Sequence, residues 1–184
     1  MEGVSYQLNN GLKIKVFSEF YADNQRAVAK LSELWKGNLI LCGYATDKIY
    51  MAMALNGKVL DKRAKVMLTK EDRKYYKAGD ISEFRTFKIN DITILPIICY
   101  EIVFSNLWRS IKEKVDVIVH NLSDPMYTEH QKEKWLGLQG YMVRWFKCPL
   151  ICSVGNSKKG DKMDISRVVK YESKNEINQL KGTQ

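Results

Sequence analysis

The segment Ile92-Thr93-Ile94-Leu95-Pro96-Ile97-Ile98-Cys99-Tyr100-Glu101 decides how this chain is organised. Its first seven residues are mostly β-branched or otherwise apolar, which predicts a buried strand. After it, the apolar residues take helical spacing, so Cys99 lies where a strand turns into a helix. The N–H groups and the positive dipole end of a helix start favour a thiolate, and a strained turn lifts the side chain out of the sheet. Cys99 is therefore a candidate nucleophile.

A buried structural cysteine is the alternative, because free cysteine is among the most often buried residues. The chain has four cysteines but no C-x-x-C pair, which excludes a disulfide framework and a zinc site. Cys148 and Cys152 flank a short apolar run and are predicted to be packing residues. His120 and His130 lack metal-ligand spacing and are predicted to be structural or surface groups. We expect no metal and no cofactor.

Length and composition indicate one globular domain over residues 1–184, with a polar tail from about residue 173. The chain is 45% hydrophobic and 11% aromatic, which is ordinary for a globular protein. No segment approaches the roughly 18 consecutive apolar residues of a membrane span, and the N-terminus lacks the layout of a signal peptide. We therefore expect a soluble, cytoplasmic protein.

The chain is basic, with 30 Lys and Arg against 21 Asp and Glu and a formal charge of +9. Such a charge attracts nucleic acid or an anionic membrane surface without specificity. The basic residues are dispersed, with no Arg-rich arm and no aromatic-glycine RNA-binding signature. The composition therefore predicts weak binding to anionic surfaces at most, and no specific nucleic-acid site.

Strands and helices alternate along the chain. The dipeptides Asn56-Gly57 and Asn90-Asp91 predict hairpins, so the sheets should be mixed rather than purely parallel. An α/β layered sandwich fits this order best. Helices are predicted at residues 24–36, from the Cys99 turn to about residue 113, and at 133–146. Strands are predicted at residues 13–17, 38–44, 49–55, 59–66, 84–89, 92–98, 115–122, 150–154 and 168–171.

The turn Ile98-Cys99-Tyr100-Glu101 resembles the nucleophile motif of the nitrilase, or carbon-nitrogen hydrolase, superfamily. It is especially similar to the branch that contains apolipoprotein N-acyltransferase and the conjugation protein TraB. That family uses a Glu-Lys-Cys triad in this chain order. The segment Arg63-Ala64-Lys65-Val66-Met67-Leu68 matches its lysine motif, Tyr-x-Lys-x-His-Leu, and Phe17-Ser18-Glu19 resembles its strand-terminal Pro-Glu.

Later segments agree with the same family. The loop Asn121-Leu122-Ser123-Asp124, followed by Tyr127, resembles its Asn-x-Ser loop, and the helix with Arg144 and the strand ending in Gly155-Asn156 also have counterparts. The resemblance covers residues 12 to 172 and implies a single compact nitrilase-like α-β-β-α sandwich with mixed sheets. Members of the family generally form homodimers, so it also implies a homodimer.

The sequence departs from the family in four respects. Ser18 stands where the family has Pro, and Met67 where it has His. Glu19 and Lys65 are 46 residues apart, fewer than in the family, which implies that the substrate-covering loop is missing. The family's first strand and helix and its last strands have no counterpart, so the resemblance implies a domain trimmed at both ends.

The resemblance assigns a role to each triad residue. Glu19 would be the general base, and Lys65 with the backbone N–H of Tyr100 would stabilise the oxyanion. Cys99 would attack an amide or nitrile carbon and form a thioester. Transfer to water gives hydrolysis, and transfer to a second amine gives acyl transfer.

Three further residues are candidates for supporting or substrate-binding roles. Glu71 is a candidate for the second glutamate that the family places near its lysine, although it lies in a charged, exposed stretch. Glu101 would orient Lys65 or a substrate amine, but an acid at a helix start is also favourable for dipole reasons alone. Asn121 opens the Asn-x-Ser loop.

Two classes of function stay open at this point. The first is a thiol-dependent hydrolase or acyltransferase that acts on a small-molecule, acyl or amide substrate. The second is a catalytically degenerate binding module of the same fold, whose basic surface holds an acidic partner. Selective alkylation of Cys99 near neutral pH would favour the first. Salt-sensitive binding that does not depend on Cys99 would favour the second.

Overall fold

The structure is a computed structural model that describes residues 3–124, 126–155 and 163–172, so the predicted tail from residue 173 lies outside the described residues. Ten strands and three α-helices are present in this part of the chain. The helices are α1 (Gln25–Leu34), α2 (Ser105–Arg109) and α3 (Glu129–Phe146). The strands are β1 (Val4–Gln7), β2 (Lys13–Val16), β3 (Asn38–Ala45), β4 (Ile49–Leu55), β5 (Lys58–Ala64), β6 (Phe87–Ile89), β7 (Ile92–Ile98), β8 (Val117–Leu122), β9 (Leu150–Val154) and β10 (Arg167–Val169).

The strands form two five-stranded mixed sheets. The first has the order β1-β2-β3-β4-β5, with β2 and β3 parallel and the other neighbours antiparallel. The second has the order β10-β9-β8-β7-β6, with β7, β8 and β9 parallel and the outer two strands antiparallel. Both predicted hairpins are present, and Asn56 and Asn90 each adopt a positive φ at the turn.

The two sheets face each other, and a helix layer covers each outer face. Apolar side chains from both sheets, such as Val16 and Leu41 with Val119 and Ile151, form the central core. Helix α1 packs through Val28 on the outer face of the first sheet, and α2 and α3 pack on the outer face of the second. The predicted α-β-β-α sandwich, a single compact domain, is confirmed.

The helix predicted after the Cys99 turn is not continuous. Cys99–Val103 form a 3-10 helix, Phe104 then leaves the helical conformation, and α2 continues for only five residues. The apolar residues that suggested one helix instead pack at different depths against the second sheet, with Trp108 fully buried. Strand β1 is not predicted by the sequence pattern; it alternates exposed and half-buried residues at the edge of the first sheet.

The carboxyl ends of strands from both sheets meet at one end of the sandwich. The backbone N–H groups of Glu19, after β2, and of Gly155, after β9, both donate to the carbonyl of Leu122 at the end of β8. A Cβ atom on Gly43 would lie 2.1 Å from the Glu19 carbonyl oxygen, so only glycine allows the chain after β2 to cross β3 this closely. This arrangement brings the chain after β2 next to the ends of β8 and β9.

Candidate active site

Lys65 lies at the centre of a buried cluster of charges. It follows β5, its side chain is fully buried, and its ammonium contacts Oε1 of Glu19 at 2.6 Å and Oδ2 of Asp72 at 2.8 Å. Glu19 is 1% exposed. Burying three ionised groups is costly unless they are paired, and here one ammonium is shared between two carboxylates.

Cys99 joins this cluster from the end of β7. Its thiol lies close enough to the Glu19 carboxyl group for each to shift the pKa of the other. The residue opens a 3-10 helix with φ of +48°, a left-handed conformation that is strained for a residue with a Cβ atom. The structure thus brings together Glu19, Lys65 and Cys99, the three residues that the sequence analysis assigned to the triad.

Cys99, the candidate nucleophile, is held as a thiol at neutral pH. Burial raises the pKa of Cys99 well above its ordinary value; the Glu19 carboxylate adds to this effect, and Lys65 opposes it. The sequence pattern instead predicts that the helix start favours a thiolate. A five-residue 3-10 helix supplies only a small dipole, and burial together with the adjacent carboxylate outweighs it. Attack by the Cys99 sulfur would therefore need a base that removes the thiol proton.

Glu19 is suited to be that base. Burial raises the pKa of Glu19, and the attraction of Lys65 opposes the rise in part. Burial alone would lower the pKa of Lys65, but Cys99, Glu19 and Asp72 raise it, so the lysine stays charged. Burial alone would raise the pKa of Asp72, but its contacts with Lys65 and Thr69 lower it. The site therefore pairs a permanent cation with a carboxyl group poised for proton transfer.

Cys99 faces a cleft of about 420 Å³. Phe20 and Tyr76 stack at one side with ring centroids 5.9 Å apart, and Tyr75 and Tyr127 stand at the mouth, 71% and 79% exposed. Exposed aromatic side chains around a concave site are typical of ligand binding. The remaining lining residues are Thr69, Glu71, Asp72, Ser123 and Asp124.

The second acid that contacts Lys65 in the structure is Asp72 rather than Glu71. Glu71 is exposed, lines the cleft and pairs with Lys74 at 2.6 Å. Asp72 instead turns inward and also accepts a hydrogen bond from the backbone N–H of Thr69. The two acids are adjacent in sequence, so the pattern could not distinguish them. The orientation of the 3-10 helix Asp72–Lys74 directs Asp72, and not Glu71, toward Lys65.

Glu101 does not contact Lys65. It is fully buried, pairs with Arg63, and accepts hydrogen bonds from the backbone N–H groups of Val66 and Ile98. It therefore ties the lysine segment to the cysteine turn. Arg63 was not among the residues predicted to form the site. It occupies the tyrosine position of the family's lysine motif, two residues before Lys65, and this position in the motif could have identified it.

Asn121 and Tyr100 also lie near the site. Asn121 is fully buried on β8, beside Ile98 in register, and among the described residues no group forms a hydrogen bond with either polar atom of its amide. Tyr100 is half-buried, and its ring packs edge-on against Phe104. An unpaired buried amide next to a candidate nucleophile is a group for water or substrate to satisfy.

The described residues contain no group of three or more side chains that could hold a metal ion. The other three cysteines are buried and carry pKa values raised by burial. Gly155 lies beside Ser123 and Ser18, whereas Asn156 lies outside the described residues. In the part of the chain that the structure describes, no helix is long and apolar enough to cross a bilayer.

Most of the chain matches the profile of a known protein family. The profile of the carbon-nitrogen hydrolase family matches residues 27–169. No match is found among functionally curated proteins.

Several solved structures share the fold. One is the CN-hydrolase superfamily protein XC1258 from Xanthomonas campestris, which carries an arsenic adduct in its active site (TM-score 0.68, 14% identity, covering 89% of this chain and 72% of that chain). Another is a glutamine-dependent NAD+ synthetase from Acinetobacter baumannii (TM-score 0.65, 18% identity, 86% of this chain and 35% of that chain).

A third is a mutant of the amidase from Nesterenkonia sp. AN1 that shows covalent addition of the acetamide moiety of fluoroacetamide at its active-site cysteine (TM-score 0.60, 12% identity, 77% of this chain and 62% of that chain). The chain therefore spans about a third of the synthetase and between 62% and 72% of the other two. At these identities the likeness establishes a common fold.

Proposed function

Because the chain belongs to the carbon-nitrogen hydrolase family, we propose that it cleaves an amide-type carbon-nitrogen bond through Glu19, Lys65 and Cys99. The observation that carries this proposal is the buried contact of Lys65 with Glu19, whose carboxyl group also interacts electrostatically with the Cys99 thiol. Such a cluster of buried charges is costly for stability and typical of a catalytic site.

The first half-reaction forms a thioester. Glu19 removes the thiol proton while the sulfur of Cys99 attacks the carbonyl carbon and a carbon-sulfur bond forms. The ammonium of Lys65 and the N–H of Tyr100 stabilise the resulting oxyanion. The carbon-nitrogen bond then breaks, and Glu19 returns its proton to the leaving amine.

The second half-reaction releases the acyl group. Glu19 takes a proton from water, the hydroxide oxygen attacks the thioester carbon, and the carbon-sulfur bond breaks. The proton held by Glu19 then restores the thiol, and a carboxylic acid leaves. If an amine takes the place of water, the product is a new amide. This acyl transfer would suit the branch that contains apolipoprotein N-acyltransferase and TraB.

A catalytically degenerate binding module is the less favoured alternative. A chain that no longer needed catalysis would gain stability by replacing Lys65, Glu19 and Asp72 together with well-packed apolar residues. All three are present, and they meet beneath an aromatic cleft.

The test is the intact mass of the protein after incubation with a panel of amides and activated esters. We expect a single acyl adduct that maps to Cys99, because the other three cysteines are buried. Cys99→Ser should lose turnover and keep its melting temperature within a few degrees. Turnover that survives in this variant would overturn the proposal, and salt-sensitive capture of an acidic protein by both forms would favour the binding module.

We further propose that the protein is a cytoplasmic homodimer and binds anionic surfaces weakly. The family resemblance supports the dimer, and the net charge of +9 supports the surface binding. Light scattering tests the dimer. Co-sedimentation with phosphatidylglycerol vesicles at increasing salt tests the surface binding, which we expect to vanish at a few hundred millimolar salt, as a rough figure.

A further inference from the structure

His120 is a buried imidazole that touches the nucleophile's backbone. It lies on β8, is fully buried, and its Nε2 atom is 3.1 Å from the carbonyl oxygen of Cys99. Its ring stacks on Trp135 of α3 with centroids 5.5 Å apart and planes 6° apart. The mechanism above does not use this residue, so its contacts call for a separate explanation.

A chain of hydrogen bonds fixes which nitrogen of His120 carries the proton. Nε of Arg167 donates to Oε1 of Gln139 at 3.3 Å, and this contact orients the Gln139 amide. The amide nitrogen Nε2 of Gln139 therefore lies 3.2 Å from Nδ1 of His120 and donates a hydrogen bond to it. Nδ1 must then accept, so Nε2 carries the hydrogen and donates to the Cys99 carbonyl.

Burial keeps the imidazole in this neutral form. It lowers the pKa of His120 to about 4, and the charge of Lys65 acts in the same direction. The donor on Nε2 is therefore present over the whole neutral range without adding a charge beside the thiol.

The geometry of the peptide group transmits this contact to the N–H of Tyr100. In a trans peptide the C=O and N–H bonds point in opposite directions, and the described chain contains no cis peptide. Because the Cys99 carbonyl points at His120, the N–H of Tyr100 points away from His120. Tyr100 is the second residue of a 3-10 helix, so this N–H has no acceptor within the helix.

We propose that His120 is a positioning residue that holds the Cys99–Tyr100 peptide with the Tyr100 N–H aimed at the oxyanion. Cys99 needs such a hold because its φ of +48° is strained, and a free peptide would rotate to relieve that strain. A hydrogen bond accepted by the carbonyl also strengthens the N–H of the same peptide as a donor. The inference rests on the proposed function for its effect on rate, but its geometry can be tested separately.

The kinetic experiment compares two substitutions of similar size with p-nitrophenyl acetate as the acyl donor. His120→Leu removes the donor, and we expect kcat to fall on the order of 10- to 100-fold with KM changed less than about threefold. His120→Gln places a donor nitrogen at a similar reach, and we expect it to recover most of kcat. His130→Leu, at the exposed second histidine, is the control and should match the unsubstituted protein.

The geometric experiment uses ¹⁵N NMR of the imidazoles, which is simple because the chain has only two histidines. We expect His120 to show protonated Nε2 and unprotonated Nδ1 at pH 7. In Gln139→Glu the new carboxylate accepts where the amide donated, so we expect Nδ1 of His120 to become protonated.

These measurements separate failure of the inference from failure of the proposed function. An Nδ1-protonated His120 in the unsubstituted protein, wild-type kcat in His120→Leu, or an equal loss in the Leu and Gln variants would overturn the inference. If His120→Leu does not fold, the tautomer of His120 from NMR and the kcat of His120→Gln still test the inference. Absence of turnover by the unsubstituted protein would overturn the proposed function, whereas the NMR result would stand as evidence on the geometry.

Discussion

Arg63 and Glu101 form a fully buried, two-pronged ion pair, with Nη1–Oε1 at 3.0 Å and Nη2–Oε2 at 2.5 Å. Arg63 also donates to the carbonyl of Pro96 at 2.5 Å. The pair therefore joins β5, two residues before Lys65, to β7 and the turn after Cys99. It sets the distance between the two strands that present the cation and the sulfur.

Removing one charge of this pair should be strongly destabilising. In Glu101→Gln the Arg63 guanidinium stays buried without a counter-charge, and we expect a loss of about 3 to 5 kcal/mol in the free energy of unfolding. Urea denaturation measures it. Lys114→Met, which breaks the exposed Lys114–Asp116 pair, is the matched control and should cost less than about 1 kcal/mol. Equal losses of stability in the two variants would contradict the conclusion that the Arg63–Glu101 pair holds β5 and β7 together.

Asp72→Asn should change the pH dependence of the reaction. The charge of Asp72 raises the pKa of Glu19, so its removal lowers that pKa and moves the acid limb of the kcat profile to lower pH. We also expect kcat at neutral pH to fall on the order of tenfold, because Glu19 becomes a weaker base.

Glu71→Gln is the comparison for Asp72→Asn, since the two acids are adjacent in sequence and differ in facing. We expect kcat within about twofold of the unsubstituted value, because the exposed Glu71–Lys74 pair contributes little. A larger loss at Glu71 than at Asp72 would support the assignment made from sequence.

His120 should make the fold sensitive to acid. Its pKa is near 4 in the folded chain and 6.5 in the reference state, so the unfolded chain binds more protons between these values. Stability from this group is complete above pH 6.5 and falls by about 3 kcal/mol as the pH drops to 4. The groups facing the ring are Lys65, the amide of Gln139, and Cys152, whose sulfur is 3.9 Å away. His120→Gln should lack this component, measured as the difference between denaturation curves at pH 7 and 4.5; parallel losses would contradict it.

Asn121→Leu should separate stability from activity. The side chains are similar in size, and the change removes two buried polar atoms that have no partner among the described residues. We expect the melting temperature to hold or rise and turnover to fall, because the amide is available to water or substrate. A lower melting temperature with unchanged kcat would show that the amide is structural.

Regular patterns made most of the fold predictable. Alternation, apolar runs and the two Asn-containing turns located nine of the ten strands. The helix after Cys99 was overextended, because periodicity does not reveal the backbone change at Phe104. β1 was missed because its half-buried edge pattern is weak.

The site was predictable only where a motif carried it. Glu19, Lys65 and Cys99 were found by their order, and the structure brings them together. The orientation of a turn or strand in the folded chain determines whether a side chain reaches the site, as it does for Asp72, Arg63 and His120. A shift of one residue would have brought Glu71 to Lys65 instead of Asp72. Lateral contacts of this kind leave no spacing signal in a single sequence.

At position 99 the left-handed backbone favours glycine, whereas the proposed chemistry requires cysteine. A residue without a Cβ atom would relax there, by roughly 1 kcal/mol. Cys99→Gly would relieve this strain, and it would also remove the proposed nucleophile. Persistence of a cysteine at this position across natural variants would accordingly report selection for what the sulfur does.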